Sequence, residues 1–143
     1  MIFWDTSAVV PLLVEEPSSG LVLALLQEGA PAAVWWGTAI ACASALSRRE
    51  RDGGLSPLAV DQALARLDVL AQSWSEVLPT DLTREHSVNL LRRHPLRAAD
   101  ALQLGAAITL ARGRPRGHRF ATLDSRLAAA ARGEGFTLVL PWG

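Results

Sequence analysis

Five short apolar runs, separated by stretches of helical spacing, limit the folding options of this chain more than any other feature. The runs span residues 2–4, 33–36, 76–78, 119–123 and 136–140. Each is of strand length, and the gaps hold segments whose apolar residues recur every three or four positions. Such alternation points to an α/β sandwich, with helices packed on a central, mainly parallel sheet. Sheets of this kind bind ligands beyond the carboxyl ends of their strands. The residues that follow each run are therefore the first places to look for chemistry.

Local signals set the expected boundaries. Residues 6–13 form a first helix, stopped at Glu15-Glu16-Pro17. Ser18 can cap a second helix through about residue 27, with Leu21, Ala24 and Leu25 facing inward and Gly29 closing it. Thr38 can cap a third, which ends before Gly53-Gly54. Ser56-Pro57 is a cap followed by a first-turn proline, and Val60, Leu64, Leu67, Ala71 and Trp74 keep helical spacing behind it. Thr80 or Asp81 opens another helix, broken at His94-Pro95 because the residue before proline avoids the helical region. Residues 96–112 and 125–132 are helical, the latter ended by Gly133. Trp4, Trp35, Trp36 and Trp74 read as core.

The bulk properties narrow the class. With 143 residues, half of them hydrophobic, the chain fits a single domain, 1–143, with one sizeable core. No apolar run reaches the ~18 residues of a membrane span, and the opening MIFWDTS lacks the basic start of a secretory signal. Cys42 is alone, which leaves no internal disulfide and no Cys-based zinc site. These features favour a cytoplasmic protein with no membrane contact.

The formal net charge is zero, so no global field draws in a polyanion. The distribution says more. All fourteen basic residues are arginines. They bunch at Arg48, Arg49 and Arg51, at Arg92, Arg93 and Arg97, and at Arg112, Arg114, Arg116 and Arg119. Cations suit helix C-terminal ends, so a solvated surface explains any single cluster as well as phosphate contact does. The absence of lysine excludes a response-regulator-like phosphotransfer module, and no Walker-type glycine loop is present. His86, His94 and His118 lack metal-ligand spacing, and His118 in GRPRGHRF reads as a surface loop residue.

Three aspartates stand out. Asp5 directly follows IFW, and Asp124 directly follows RFATL. If those strands are parallel neighbours, both carboxylates emerge at one edge of the sheet; either could instead be a helix cap, since each begins a helix. Asp100 shares a helical stripe with Leu96, Leu104 and Ala107 or Ile108, among small apolar neighbours. A carboxylate on a buried stripe is expensive unless paired, hydrogen-bonded or bound to a cation, and a bridge to Arg97 is the bland alternative. Converging carboxylates raise one another's pKa. A divalent ion relieves that repulsion, and hard oxygen ligands with room for water suit Mg²⁺ or Mn²⁺. Such an ion activates water and stabilises charge on a phosphoryl oxygen, so acids beside arginines point to phosphodiester hydrolysis.

At this point the chain resembles the PIN-domain family, small nucleases that include the VapC-type toxins of toxin–antitoxin pairs. MIFWDTSAVVPLL resembles the family's opening, SALSRRERDGGLS its second-motif helix and turn, LRAADALQLGAA its central helix, and FATLDSRLAAAARGEGF its last motif. The resemblance spans essentially the whole chain in the right order. It implies a PIN-like three-layer α/β/α sandwich with a central mainly parallel sheet, a homodimer, and Mg²⁺- or Mn²⁺-dependent endoribonuclease activity. By that resemblance Asp5 and Asp100 hold the metal and Asp124 completes the site. Ser7 and Thr122 stand where hydroxyls hydrogen-bond these carboxylates. The implied partner is an antitoxin protein that wraps the helices near the N-terminus and blocks the site with a basic side chain.

RNA is the implied substrate, met through arginine contacts to phosphate, with Arg48, Arg112, Arg114 and Arg116 as candidates. With no tyrosine in the chain, base stacking is not expected to dominate. One family position fails: the glutamate expected shortly before Ser44-Ala45-Leu46 is Ala41. Glu50 is about two and a half turns further along and too far to substitute. A site with Ala41 implies weaker metal binding and reduced or lost catalysis. The alternative is a PIN-like protein that binds antitoxin or RNA without cutting.

Overall fold

The computed structural model describes residues 1–141. Its elements follow in the order β1 (Ile2–Trp4), α1 (Thr6–Leu13), α2 (Ser19–Gln27), β2 (Ala32–Trp35), α3 (Thr38–Arg51), α4 (Pro57–Ala71), β3 (Ser75–Val77), α5 (Asp81–Arg93), α6 (Ala98–Leu110), β4 (Arg119–Ala121), α7 (Ser125–Glu134) and β5 (Thr137–Leu138). The strands pair in the order β3-β2-β1-β4-β5, and every pairing is parallel. The chain runs outward from β1 through β2 to β3, then crosses over and starts again at β4. The crevice at the carboxyl ends of β1 and β4 is thus the switch point of the sheet, where α/β folds bind ligands.

Period-two alternation divides the strands between two layers. Ile2, Trp4 and Val34 face α1 to α4 and pack with Val9, Leu13, Val22, Leu46, Ala63 and Leu67. Phe3, Ala33 and Phe120 face α5, α6 and α7 and pack with Leu90, Leu104, Ala107, Leu127 and Ala131. Phe3 stacks on Phe120 across the β1–β4 pair, with ring centroids 5.4 Å apart. The result is the expected three-layer sandwich. No helix among the described residues is long and apolar enough to cross a membrane.

Two caps form as the sequence suggests. Ser56 accepts from the Ala59 N–H at 3.1 Å, with Pro57 in the first turn, and Thr80 accepts from the Thr83 N–H at 3.2 Å. Other expectations shift for local reasons. Thr38 does not cap α3; Gly37 takes the cap position and Thr38 turns its hydroxyl to Gln103. α6 begins at Ala98 rather than at residue 96. α2 faces inward through Ser19, Val22 and Leu25, while Leu21 and Ala24 are exposed. A helix apolar nearly all round gives periodicity no face to select. Ser18 takes the cap position without a side-chain cap bond, and Ser19 ties the helix start down: its hydroxyl accepts from the Glu16 N–H at 2.8 Å and donates to the Pro11 carbonyl at 2.7 Å.

Trp36 is 46% exposed and not part of the core, because it lies one residue past the end of β2. α7 runs through Gly133 and closes at Gly135, whose φ of 110° is left-handed. The longer helix brings Glu134 to the end of α5, where it accepts two hydrogen bonds from Arg93 (2.9 and 3.1 Å) and pairs with His94 Nε2 at 2.6 Å. Gly133 makes room for that contact: a Cβ there would lie 3.3 Å from His94 Cε1.

α5 packs closely on α6 at Gly105. A Cβ on Gly105 would collide with Ser87 Oγ and lie 3.0 Å from Ser87 N and Cα. Ser87 is anchored, donating to the Thr83 carbonyl at 2.8 Å. In Gly105→Ala, overpacking of about 1–3 kcal/mol is expected to outweigh the ~1 kcal/mol that alanine gains in helix propensity. The urea midpoint should fall; an unchanged midpoint would mean that the crossing relaxes freely.

Candidate active site

Asp5 is the first residue beyond β1. Its backbone N–H still donates to the Ala121 carbonyl of β4 at 3.0 Å, so the central ladder fixes its position. Its side chain caps α1 by accepting from the Ser7 N–H at 3.3 Å, and it also accepts from the hydroxyls of Ser7 (2.5 Å) and Thr122 (2.8 Å). All three bonds fall on Oδ2, which leaves Oδ1 without a donor among the described residues. Ser7 Oγ in turn accepts from the Leu123 N–H at 2.9 Å, and Thr122 Oγ1 from the Asp124 N–H at 3.1 Å. These bonds explain why β4 stops at Ala121 instead of residue 123: the next backbone donors turn to side chains of the site. Asp5 is only 4% exposed. Burial pushes its pKa from 3.8 up to about 6, against the lowering effect of Ser7 and Thr122, and the charge on Asp100 adds to the rise.

Asp100 stands half-buried in the first turn of α6. Burial raises its pKa, and so does Asp124, while Arg97 and Arg126 pull it back. The bridge to Arg97 that could have explained this residue does not form among the described residues. Asp124 caps α7, accepting from the Leu127 N–H at 3.0 Å. Asp100 and Asp124 line one depression together with Arg97, Ala99, Ser125 and Arg126. Asp5 and Asp124 are therefore both caps and edge carboxylates; the two roles coexist.

The three aspartates share the carboxyl edge, Asp100 within the field of each of the other two. Among the described residues, no three Asp, Glu, His or Cys side chains close around a common point. The donor chemistry nonetheless fits a hard divalent cation: in Asp5 and Asp100, carboxylate oxygens whose burial and repulsion are only partly offset by neighbouring donors and arginines. Mg²⁺ is ordinarily held by one or two carboxylates and keeps several waters.

Ala41 lies one turn after Thr38 on α3, on the same face. Thr38 and Gln103 are hydrogen-bonded at 3.3–3.4 Å, and Gln103 Nε2 donates to Thr6 Oγ1 at 2.7 Å. That face of α3 therefore addresses the start of α1 and the middle of α6, and Ala41 brings no charge to it. Cys42 cannot replace the acid: burial, and then the charge on Asp5, push its thiol up to about 12. Gln103, 5% exposed, is a site residue that sequence reasoning overlooks. Its signal is a long polar side chain three positions after Asp100, between Leu102 and Leu104.

The arginines proposed from sequence lie elsewhere. Arg48 is ten residues past Thr38, about 15 Å along α3, and Arg112 is twelve past Asp100, about 18 Å along the helix direction. Arg112, Arg114 and Arg116 line a separate depression with His118, where the chain enters β4 at the opposite edge of the sheet. The arginines beside the acids are Arg97 and Arg126.

The chain is 32% identical over 144 residues to Ribonuclease VapC45 and, equally, to Ribonuclease VapC49, both from Mycobacterium tuberculosis. Each match covers 94% of this chain and 92% of the relative. No family model matches the chain. Among solved structures its fold is similar to a toxin–antitoxin complex from Klebsiella pneumoniae, with a TM-score of 0.66 and 17% identity over 99% of this chain and 98% of that one. It is also similar to FitAcB from Neisseria gonorrhoeae, with a TM-score of 0.67 and 17% identity over 99% of each chain. At that identity the two structures show a shared fold.

A folded-state pKa above the unfolded one means that the native protein holds the Asp5 proton more tightly. Stability from this group is therefore complete below about pH 4 and is lost as pH rises through about 6, by about 3 kcal/mol in all. Asp5→Asn keeps an acceptor oxygen without the charge. In metal-free buffer it should be more stable than the parent at about pH 7.5, an advantage that shrinks by roughly 1–1.5 kcal/mol at about pH 5. Denaturation midpoints at the two pH values check this; an advantage independent of pH rules out Asp5 ionisation as its cause.

Proposed function

The chain belongs to the VapC family of ribonucleases, and on that premise we propose that it is a Mg²⁺- or Mn²⁺-dependent endoribonuclease, the toxin of a toxin–antitoxin pair, which cuts RNA at the β1–β4 switch point. The observation that carries this reading is the placement of Asp5: buried, oriented by two hydroxyls, and within the field of Asp100 at the carboxyl edge. Asp5, Asp100 and Asp124 would hold the cation, which when bound supplies an activated water and charge neutralisation for a phosphoryl oxygen. Ser7 and Thr122 fix the Asp5 carboxylate through Oδ2, so Oδ1 is presented in one orientation before any ligand arrives. Gln103 ties α6, the helix that carries Asp100, to the starts of α1 and α3.

The antitoxin would take the apolar groove where α1, α2 and α4 meet, lined by Leu12, Leu23, Leu26, Val69 and Leu70 with Arg66 beside them. Exposed apolar surface of this kind marks protein-binding sites.

Ala41 supports a second reading, a PIN-like protein that binds antitoxin or RNA and does not cut. A base or further ligand absent from that position removes a contribution that typically supplies ~10²–10⁴-fold in rate. The deciding measurement is cleavage of labelled RNA in Mg²⁺ or Mn²⁺ by the parent, Ala41→Glu and Asp5→Asn. Ala41→Glu should cut at least about 10²-fold faster than the parent, and Asp5→Asn should not cut. Equal, robust cleavage by the parent and Ala41→Glu would show that Ala41 is no defect. Absence of cleavage by all three sinks the ribonuclease reading.

A further inference from the structure

The depression that holds Asp100 and Asp124 has two arginines in its wall. Arg97 is the residue from which the chain enters α6, and Arg126 is the second residue of α7. Both are exposed. Other arginines close on nearby carboxylates: Arg49 on Glu16, Arg84 on Asp81 and Arg93 on Glu134. Arg97 and Arg126 act on Asp100 electrostatically yet close no ion pair with it among the described residues. Two guanidinium forks thus lie beside two carboxylates, with no ion pair spending their donors among the described residues.

Two helix starts border the same depression. α6 has no side-chain cap, so its first-turn N–H groups lack a side-chain acceptor, and the side chain of Asp124 serves Leu127 in α7. Helix N-termini favour anions. The wall is therefore cationic while the centre is anionic. A cation alone uses only the centre. A chain of phosphodiesters uses both, since one phosphate can meet a cation on the acids while its neighbours meet the wall.

We propose that Arg97 and Arg126 form a clamp for the RNA backbone phosphates that flank the scissile bond. The clamp rests on the ribonuclease reading above, and it differs from the Arg48 and Arg112 clusters in lying at the acids themselves. Its recognition is of backbone charge and spacing, without base readout.

The test has two arms. In the first, cleavage kinetics in Mg²⁺ compare the parent with Arg97→Gln, Arg126→Gln and the corresponding lysine variants. In the second, a fluorescein-labelled mixed-sequence RNA oligonucleotide is titrated by anisotropy at several salt concentrations, in an Asp5→Asn background to prevent cutting. Each glutamine variant should raise KM and weaken binding roughly tenfold, with kcat within about threefold of the parent. The slope of log affinity against log salt should flatten by roughly 0.7 for each lost contact on a single strand. The lysine variants should keep that slope. Glutamine variants that match the parent in KM, affinity and salt slope overturn the clamp, as does a loss confined to kcat. If the Asp5→Asn protein binds RNA but the parent never cuts, the ribonuclease reading fails and the binding arm still decides the clamp. If no RNA is bound at any salt concentration, both fail.

Discussion

The buried carboxylate of Asp5 is the interaction on which the rest of the molecule turns. A carboxylate out of water survives only with donors supplied to it, and here they come from both ends of the chain, Ser7 and Thr122. The same two hydroxyls collect the backbone N–H groups of Leu123 and Asp124. One cluster thereby starts α1, ends β4 and sets the residue that caps α7. The central strand pair and the candidate site cannot be perturbed separately, because they share these bonds. The cost is visible in the pKa of Asp5, raised to about 6.

Much of this was legible in the sequence, and the exceptions have identifiable causes. Strand existence, parallel order and the shared edge of Asp5 and Asp124 follow from short apolar runs, helical gaps and the place of each acid after its run. Burial of part of the Asp100 stripe follows from its small neighbours. What escaped depended on contacts distant in sequence. The inward face of α2 is chosen by packing with α1, since SGLVLALLQ is apolar on nearly every side. The last turn of α7 is held by Arg93 and His94, residues that periodicity does not connect to Glu134. Arg126 carries no local mark beyond following Asp124; only the meeting of α6 with α7 brings it beside Asp100.

Ala41 has a simple electrostatic consequence. The neighbourhood already contains a carboxylate whose ionisation is disfavoured by burial and by Asp100. Another negative group on the face of α3 that carries Thr38 and Ala41 would add repulsion to a metal-free protein. Ala41 leaves that position uncharged. An uncharged position 41 therefore adds no repulsion to these carboxylates when no cation is present.

The hydrogen bond from Thr122 to Asp5 spans 117 positions in the sequence. Chains are made from the N-terminus, and domains assemble as their parts emerge. β1 and Asp5 emerge well before the neighbouring strand β4 and the hydroxyl that orients Asp5. A partly synthesised molecule therefore has an aspartate and no site. The order of translation thus leaves the acid edge unassembled until β4 has emerged.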